Sequence, residues 1–333
     1  MIEKGPEVMG RAGMRQLPHE GDLGLFSQSW FPVAESNEVA PCSVVGFPFL
    51  DGRIVIVRKS TGEVSALSAY CPHMGADLAV GAVVDDTVRC AFHHWRYNMG
   101  GECIATAVGD PPPPKARLFR YPVQEKFGLI WVFNGEVPLY EIPEFPYPTA
   151  DLTIRTLALT ETMPVDPWVL CCNTPDMQHI KALHSVQFDM KDPHDEVEWT
   201  RFSMLYNFTG VHKQGEPIEN RIGVYGTTLY YQTTVFQGKW FGFMTPFALV
   251  KPGETRTYMV IAARTDMGTP QEVEQFLDFV EALERGVVSE DEMIMQTIHF
   301  APSHLTKSDR TLSKFFDYLR SYPRAHPGAN FIR

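Results

Sequence analysis

CPHMGADLAV, residues 71–80, and CAFHHWRY, residues 90–97, each set a cysteine and a histidine within a few positions of one another. The chain has only six cysteines and eleven histidines in 333 residues, so this double pairing carries information. Written as a pattern it is C-x-H-x16-C-x2-H, with Cys71, His73, Cys90 and His93 as the candidate ligands. Two thiolates and two imidazoles on two short loops suit a tetrahedral zinc site or a two-iron cluster. Zinc sites more often take like ligands from one loop, as C-x2-C and H-x3–5-H. Here each loop supplies one of each. That order suits a [2Fe–2S] cluster with both cysteines on one iron and both histidines on the other.

The surroundings of the motif are those of an ordinary globular chain, with 44% hydrophobic and 21% charged residues and length for two domains. A formal charge of −11 argues against nucleic acid and against anchoring to an anionic membrane. No apolar run reaches the length of a spanning helix, and residues 1–22 contain none that could be a signal-peptide core, so a cytoplasmic, reducing location is expected. In that setting Cys42, Cys71, Cys90, Cys103, Cys171 and Cys172 are not expected to form a disulfide framework.

Residues 1–25 read as an irregular leader. From 26 to 145, short β-type runs (VVGFPFL, GRIVIVRK, VSALSAY, FGLIWVF) alternate with turn signals such as Asp51-Gly52 and Thr61-Gly62, the text of an all-β domain. The PPPPK run, 111–115, is expected to be a surface loop, and the proline-rich 137–148 segment a domain boundary. Residues 146–333 combine a helical stretch near 165–184, further β-type runs, and two closing helical patterns over 270–298 and 308–322. The expected class is α+β, with an all-β domain in front.

The paired motif resembles that of the Rieske [2Fe–2S] domain. Carried over position by position, Cys71 and Cys90 hold the inner iron of the cluster, and His73 and His93 the outer one. Trp95 and the FGLIWVF run also look like that domain. One departure is His94, where the family usually has Gly after the second histidine.

A second motif lies in NTPDMQHIKALHS, which offers Asn173, Asp176, His179 and His184. Asp176 and His179 share a helix face. His179 and His184 lie about 140° apart on an ideal helix, so they meet at one metal only if the helix bends, bulges or ends between them. This segment resembles the D-x2-H-x4-H motif of Rieske non-haem iron oxygenases, with its Asn three residues before the Asp. The resemblance covers both halves of the chain in order. It implies a helix-grip catalytic domain with a mononuclear Fe(II) held by two histidines and one carboxylate. GVVSEDEMIMQTIHF offers Glu290, Asp291 and Glu292 for the third ligand; Asp291 matches the family's pattern, with Glu292 in reserve.

By that resemblance the chain is the terminal oxygenase of the α-only monooxygenase and demethylase type, working as a homotrimer. Asp176 would then bridge a cluster histidine of one subunit, His93, to His179 of its neighbour. No G-x-G-x-x-G follows a strand, and no second cysteine set suggests a ferredoxin domain. Electrons are therefore expected from a separate NAD(P)H-dependent reductase, directly or through a ferredoxin. Arene cis-dihydroxylation, and electron transfer with a vestigial second site, are the alternative readings. The catalytic half is rich in aromatic residues and Met, suited to an apolar ring system up to steroid size. Strand alternation turns half of these residues elsewhere, so most are expected in the core. No clustered Arg or Lys announces an anionic ligand.

Overall fold

The computed structural model describes residues 16–190, 192–211 and 215–333. Residues 1–15 of the expected leader lie outside the described residues. Within its remainder, Leu17 and Glu20 are buried, and Glu20 accepts hydrogen bonds from the Ser27 backbone and hydroxyl.

The β-type runs of the N-terminal half form three small antiparallel sheets. Ser43–Phe49, Gly52–Arg58, Val64–Ser68 and Arg120–Tyr121 make one, and Trp30–Glu35, Leu129–Phe133 and Val123–Lys126 the second. The third consists of Ala82–Val84, Thr87–Arg89, Arg96–Tyr97 and Cys103–Ala105. Both cysteine–histidine loops adjoin this last sheet. The PPPPK segment contains no strand, since proline cannot donate to a ladder. The chain's end returns to this half: Arg324–Ala325 pairs with Phe26–Ser27, and Asn134 Nδ2 donates to the carbonyls of Phe26, Ser27 and Ala325.

The C-terminal half is built on an eight-stranded antiparallel sheet. Ser203–Val211, Pro217–Tyr225, Leu229–Phe236, Lys239–Lys251 and Glu254–Arg264 run as a meander, and Leu152–Met163 pairs beside the last of them. Both faces of this sheet are covered, which explains why TYMVIAA is apolar without alternation. Met259, Ile261 and Ala263 face the helices, whereas Tyr258, Val260 and Ala262 face Trp30, Leu129, Trp131 and Phe133 of the N-terminal half. The proline-rich 137–148 segment lies in that contact, with Ile142 and Phe145 buried in it.

The expected helix over 165–184 is two short ones, α1 (Pro167–Cys171) and α2 (Met177–Ala182). Pro175 between them disfavours helical backbone at the residue before it and supplies no N–H. The long C-terminal helix α3, Pro270–Met295, starts at a capping box in which Thr269 and Glu272 each bond the other's backbone. Its apolar stripe, Val273, Phe276, Leu277 and Val280, packs on the sheet, while Arg155 of the edge strand reaches Glu274, Asp278 and Glu281 on its flank. The next residue on the buried stripe is Glu284. Helix α4, Arg310–Ser321, completes this layer with Phe315, Phe316 and Leu319. Among the described residues, no helix is long and apolar enough to cross a membrane.

Trp131 is fully buried where the two halves meet, and its indole N–H donates to the Lys126 carbonyl. Trp131→Ala should destabilise the protein by about 3–5 kcal/mol in denaturant unfolding. A loss below about 1 kcal/mol would show that the contact between halves contributes little.

Candidate functional site

The two cysteine–histidine loops fold alike. In each, the cysteine N–H donates to the carbonyl five residues on (Cys71 to Ala76, Cys90 to Trp95), at 2.9 Å in both. The cysteine carbonyl in turn accepts from the N–H four residues on, Gly75 and His94. Gly75 and His94 therefore occupy matching places, and both have positive φ, 77° and 55°. That backbone is the reason Gly suits the second position, and His is among the residues that tolerate it. His94 is exposed, turned away from the loop's interior.

Cys71 and Cys90 are buried, while His73 is exposed and His93 half-buried. The rings of His73 and His93 stand 4.6 Å apart, and His73 stacks on Trp95 at 4.3 Å. Burial pushes the Cys71 thiol up, so a thiolate there calls for the positive charge of a metal beside it. Tyr97 OH lies 3.0 Å from Cys71 Sγ. Burial also holds the Tyr97 phenol protonated, as a donor to that sulfur. A single tetrahedral zinc would draw all four donor atoms within about 4 Å of one another. Among the described residues, only His179, His184 and Asp291 bring three donors within 4.8 Å, so the wider Cys–His set suits a two-metal cluster.

The second motif converges because α2 ends. Asp176 caps that helix, its Oδ1 accepting from the His179 backbone N–H at 2.9 Å. The helix stops at Ala182, and Ser185 takes a left-handed φ of 57°. His184, beyond the end, thus swings back toward His179 until the two Nε2 atoms stand 3.0 Å apart. Asp291 of α3 meets them, its Oδ1 3.2 Å from His179 Nε2 and 3.4 Å from His184 Nε2. This buried oxygen has no hydrogen bond aimed at it. Burial works against the Asp291 charge, but the two imidazoles outweigh it and hold the carboxyl down to about 2.

Glu290 lies outside this group and takes His184 Nδ1 at 2.9 Å, which leaves Nε2 with its lone pair turned inward. Burial lowers the His184 pKa, yet Asp291 and Glu290 together raise it above the ordinary value. Glu292 lines the adjoining cavity but adds no donor to the group. Two imidazole nitrogens and an unsatisfied carboxylate oxygen make a donor set that fits a divalent transition metal such as Fe(II).

The three donors sit in the wall of a cavity of about 200 Å³ between α3 and the sheet. Phe208, Phe236, Phe241, Phe243 and Phe247 line it, whereas Tyr231 and Met244 point to the opposite face of the sheet, as alternation requires. Asn173 reaches the same cavity. Several polar lining residues went unnoticed in the sequence, among them Gln232, Thr234 and Glu284. Alternation of Tyr230, Gln232 and Thr234 on one strand was the available signal for the first two. A lone acid in a helix of acids gave none for Glu284.

Tyr97→Phe should lower the reduction potential of the cluster by about 40 mV, the one-electron equivalent of a hydrogen bond worth ~1 kcal/mol. A spectroelectrochemical titration that finds the potential unchanged would show that the hydroxyl does not donate to the sulfur.

The sequence profile of the Rieske [2Fe-2S] domain matches residues 29–122. Cholesterol 7-desaturase of Bombyx mori is 35% identical over 152 residues, covering 44% of this chain and 34% of that one. Aminopyrrolnitrin oxygenase PrnD of Pseudomonas fluorescens is 33% identical over 197 residues, covering 54% of this chain and 53% of that one. The chain thus spans only about a third to a half of the length of these curated relatives. Among solved structures, dicamba monooxygenase bound to dicamba superposes with a TM-score of 0.67 at 19% identity, over 88% of this chain and 97% of that one. NdmB of Pseudomonas putida CBB5 gives 0.66 at 17%, over 87% and 89%. The chain thus carries a Rieske [2Fe-2S] domain matched in sequence, within a fold that superposes almost end to end on that of dicamba monooxygenase.

Proposed function

We propose that the chain is a terminal oxygenase that hydroxylates or oxidatively demethylates an apolar, ring-containing small molecule. The observation that carries this reading is the convergence of His179, His184 and Asp291 in the wall of an apolar cavity, in a chain that also has a Rieske domain. His179, His184 and Asp291 would hold a mononuclear Fe(II), which would supply the dioxygen-activating chemistry. Cys71, His73, Cys90 and His93 hold the [2Fe–2S] cluster. Overall, one oxygen atom enters a C–H bond of the substrate and the other leaves as water, which consumes two electrons and two protons. A separate NAD(P)H-dependent reductase provides the electrons, directly or through a ferredoxin, in the cytoplasm.

Each residue has a task in this scheme. Glu290 fixes the His184 ring through Nδ1, so that Nε2 faces the metal. The phenylalanines of the cavity orient the ring and exclude water. Residues 26–145 form the cluster domain and 146–333 the catalytic domain, in a homotrimer. His73 and His93 are accessible from outside their loops, so a neighbouring subunit can reach them. Asp176 spends one oxygen on its own helix, and the other is available to bridge His93 of one subunit to His179 of the next.

The test is a substrate panel with a surrogate reductase, scored by mass spectrometry for gain of oxygen or loss of a methyl group. The expected iron content is about three per chain, two in the cluster and one in the triad. His179→Ala, His184→Ala and Asp291→Ala should each lose the third iron and turnover while keeping the cluster spectrum. Turnover by any of them removes that residue from the ligand set.

Asn caps helices as well as Asp does, so Asp176→Asn should leave α2, iron content and trimer intact. Electron transfer from reduced cluster to substrate oxidation should nevertheless stop in single-turnover experiments. Wild-type rates in this variant would exclude the bridge.

A further inference from the structure

The cavity is polar at the end away from the triad, and its chemistry is one-sided. Glu284 lies two turns before Asp291 on the same face of α3, about 10 Å along the axis. It is 4% exposed, and its Oε1 accepts from Gln232 Nε2 at 3.1 Å. Gln232 is itself held in place: its Oε1 accepts from Tyr230 OH at 2.5 Å, and its Nε2 also donates to Thr234 Oγ1 at 2.8 Å. Thr234 donates in turn to Asn220 Oδ1 at 2.5 Å. Glu284 Oε2 makes no hydrogen bond with any described residue, although the side chain lines the cavity. Burial pushes the carboxyl up to about 7. Among the described residues, no Lys or Arg lines the cavity to neutralise it.

A buried carboxyl without a cation costs stability and contributes nothing to packing that Gln, Leu or Met would not. Its use is a ligand that brings the missing donor. We propose that Glu284 determines the specificity of this cavity by anchoring the amino group of a single-ring amine, whose ring lies between it and the triad. The proposal rests on the cavity being the substrate site. Charge selects the amine, because an ammonium makes a charge-assisted bond to the carboxylate whereas a carboxylate or phosphate ligand is repelled. Volume selects the single ring: a cavity of about 150 Å³ suffices for benzene, and this one is about 200 Å³.

Calorimetric titration of the purified protein with 2-phenylethylamine, propylbenzene and 3-phenylpropanoate tests this, since the three share ring and chain length. In the wild type the amine should bind about tenfold or more tighter than propylbenzene, and the carboxylate weakest of all. E284Q keeps the shape and the bond to Gln232 but loses the charge. In it the amine's advantage should fall by about tenfold, with propylbenzene changed less than about twofold. If E284Q does not fold, the wild-type ranking alone decides. An amine no better than propylbenzene, a preferred carboxylate, an unchanged ratio in E284Q, or no binding by any of the three overturns the proposal. Calorimetry needs no turnover, so a protein that transfers no oxygen would overturn the oxygenase reading and leave this ranking standing.

Discussion

Two imidazoles five residues apart cannot share one point while their helix continues. The rest of the candidate metal site depends on α2 being short: Pro175 and the Asp176 cap define its start, and it is over by Ala182. A further turn would carry His184 away from His179 and leave Asp291 facing a single ring. Both nitrogens face Asp291 of α3 instead, and the chain then turns away at Ser185. Helix α3 then contributes neighbours with separate tasks, Asp291 to the shared point and Glu290 to the far side of the His184 ring.

The centre needs a cavity, and the sheet provides one by being covered on both sides. Its back face is filled by Trp30, Trp131, Phe133 and Phe145, which tie the N-terminal half to the C-terminal half. Its front face is closed under the first half of α3 and open under the second. The stripe from Val273 to Val280 closes the core. From Glu284 onward the helix stands over a space lined by phenylalanines. Packing at one end and the site at the other are thus consecutive stretches of one helix. The same arrangement explains the polar row of Tyr230, Gln232 and Thr234, which would be out of place in a closed core but suits a wall that meets ligand.

The cluster loops show a different constraint. Their shared hydrogen-bond pattern requires a left-handed residue four positions after each cysteine, met by Gly75 in one loop and His94 in the other. The departure at His94 is therefore accommodated by a conformation that histidine tolerates, and its side chain points to solvent.

Much of this was legible in the sequence because spacing survives folding. The C-x-H and C-x2-H pairs, the all-β text before residue 145 and the α+β text after it follow from local geometry, and so does the condition that a helix must bend, bulge or end between His179 and His184 if both are to meet one metal. Three things were not legible, each for a physical reason. Whether Pro175 kinks one helix over 165–184 or divides it into two depends on tertiary contacts that hold the Cys172–Asp176 turn, among them Tyr206 OH on the Thr174 carbonyl. Which of Glu290, Asp291 and Glu292 meets the histidines depends on how α3 is rotated against a sheet distant in sequence, and neighbours on a helix differ by about 100°. Glu284 was invisible because a lone acid in an acidic helix carries no local mark. Only its burial beside Gln232, 52 residues away in the chain, distinguishes it.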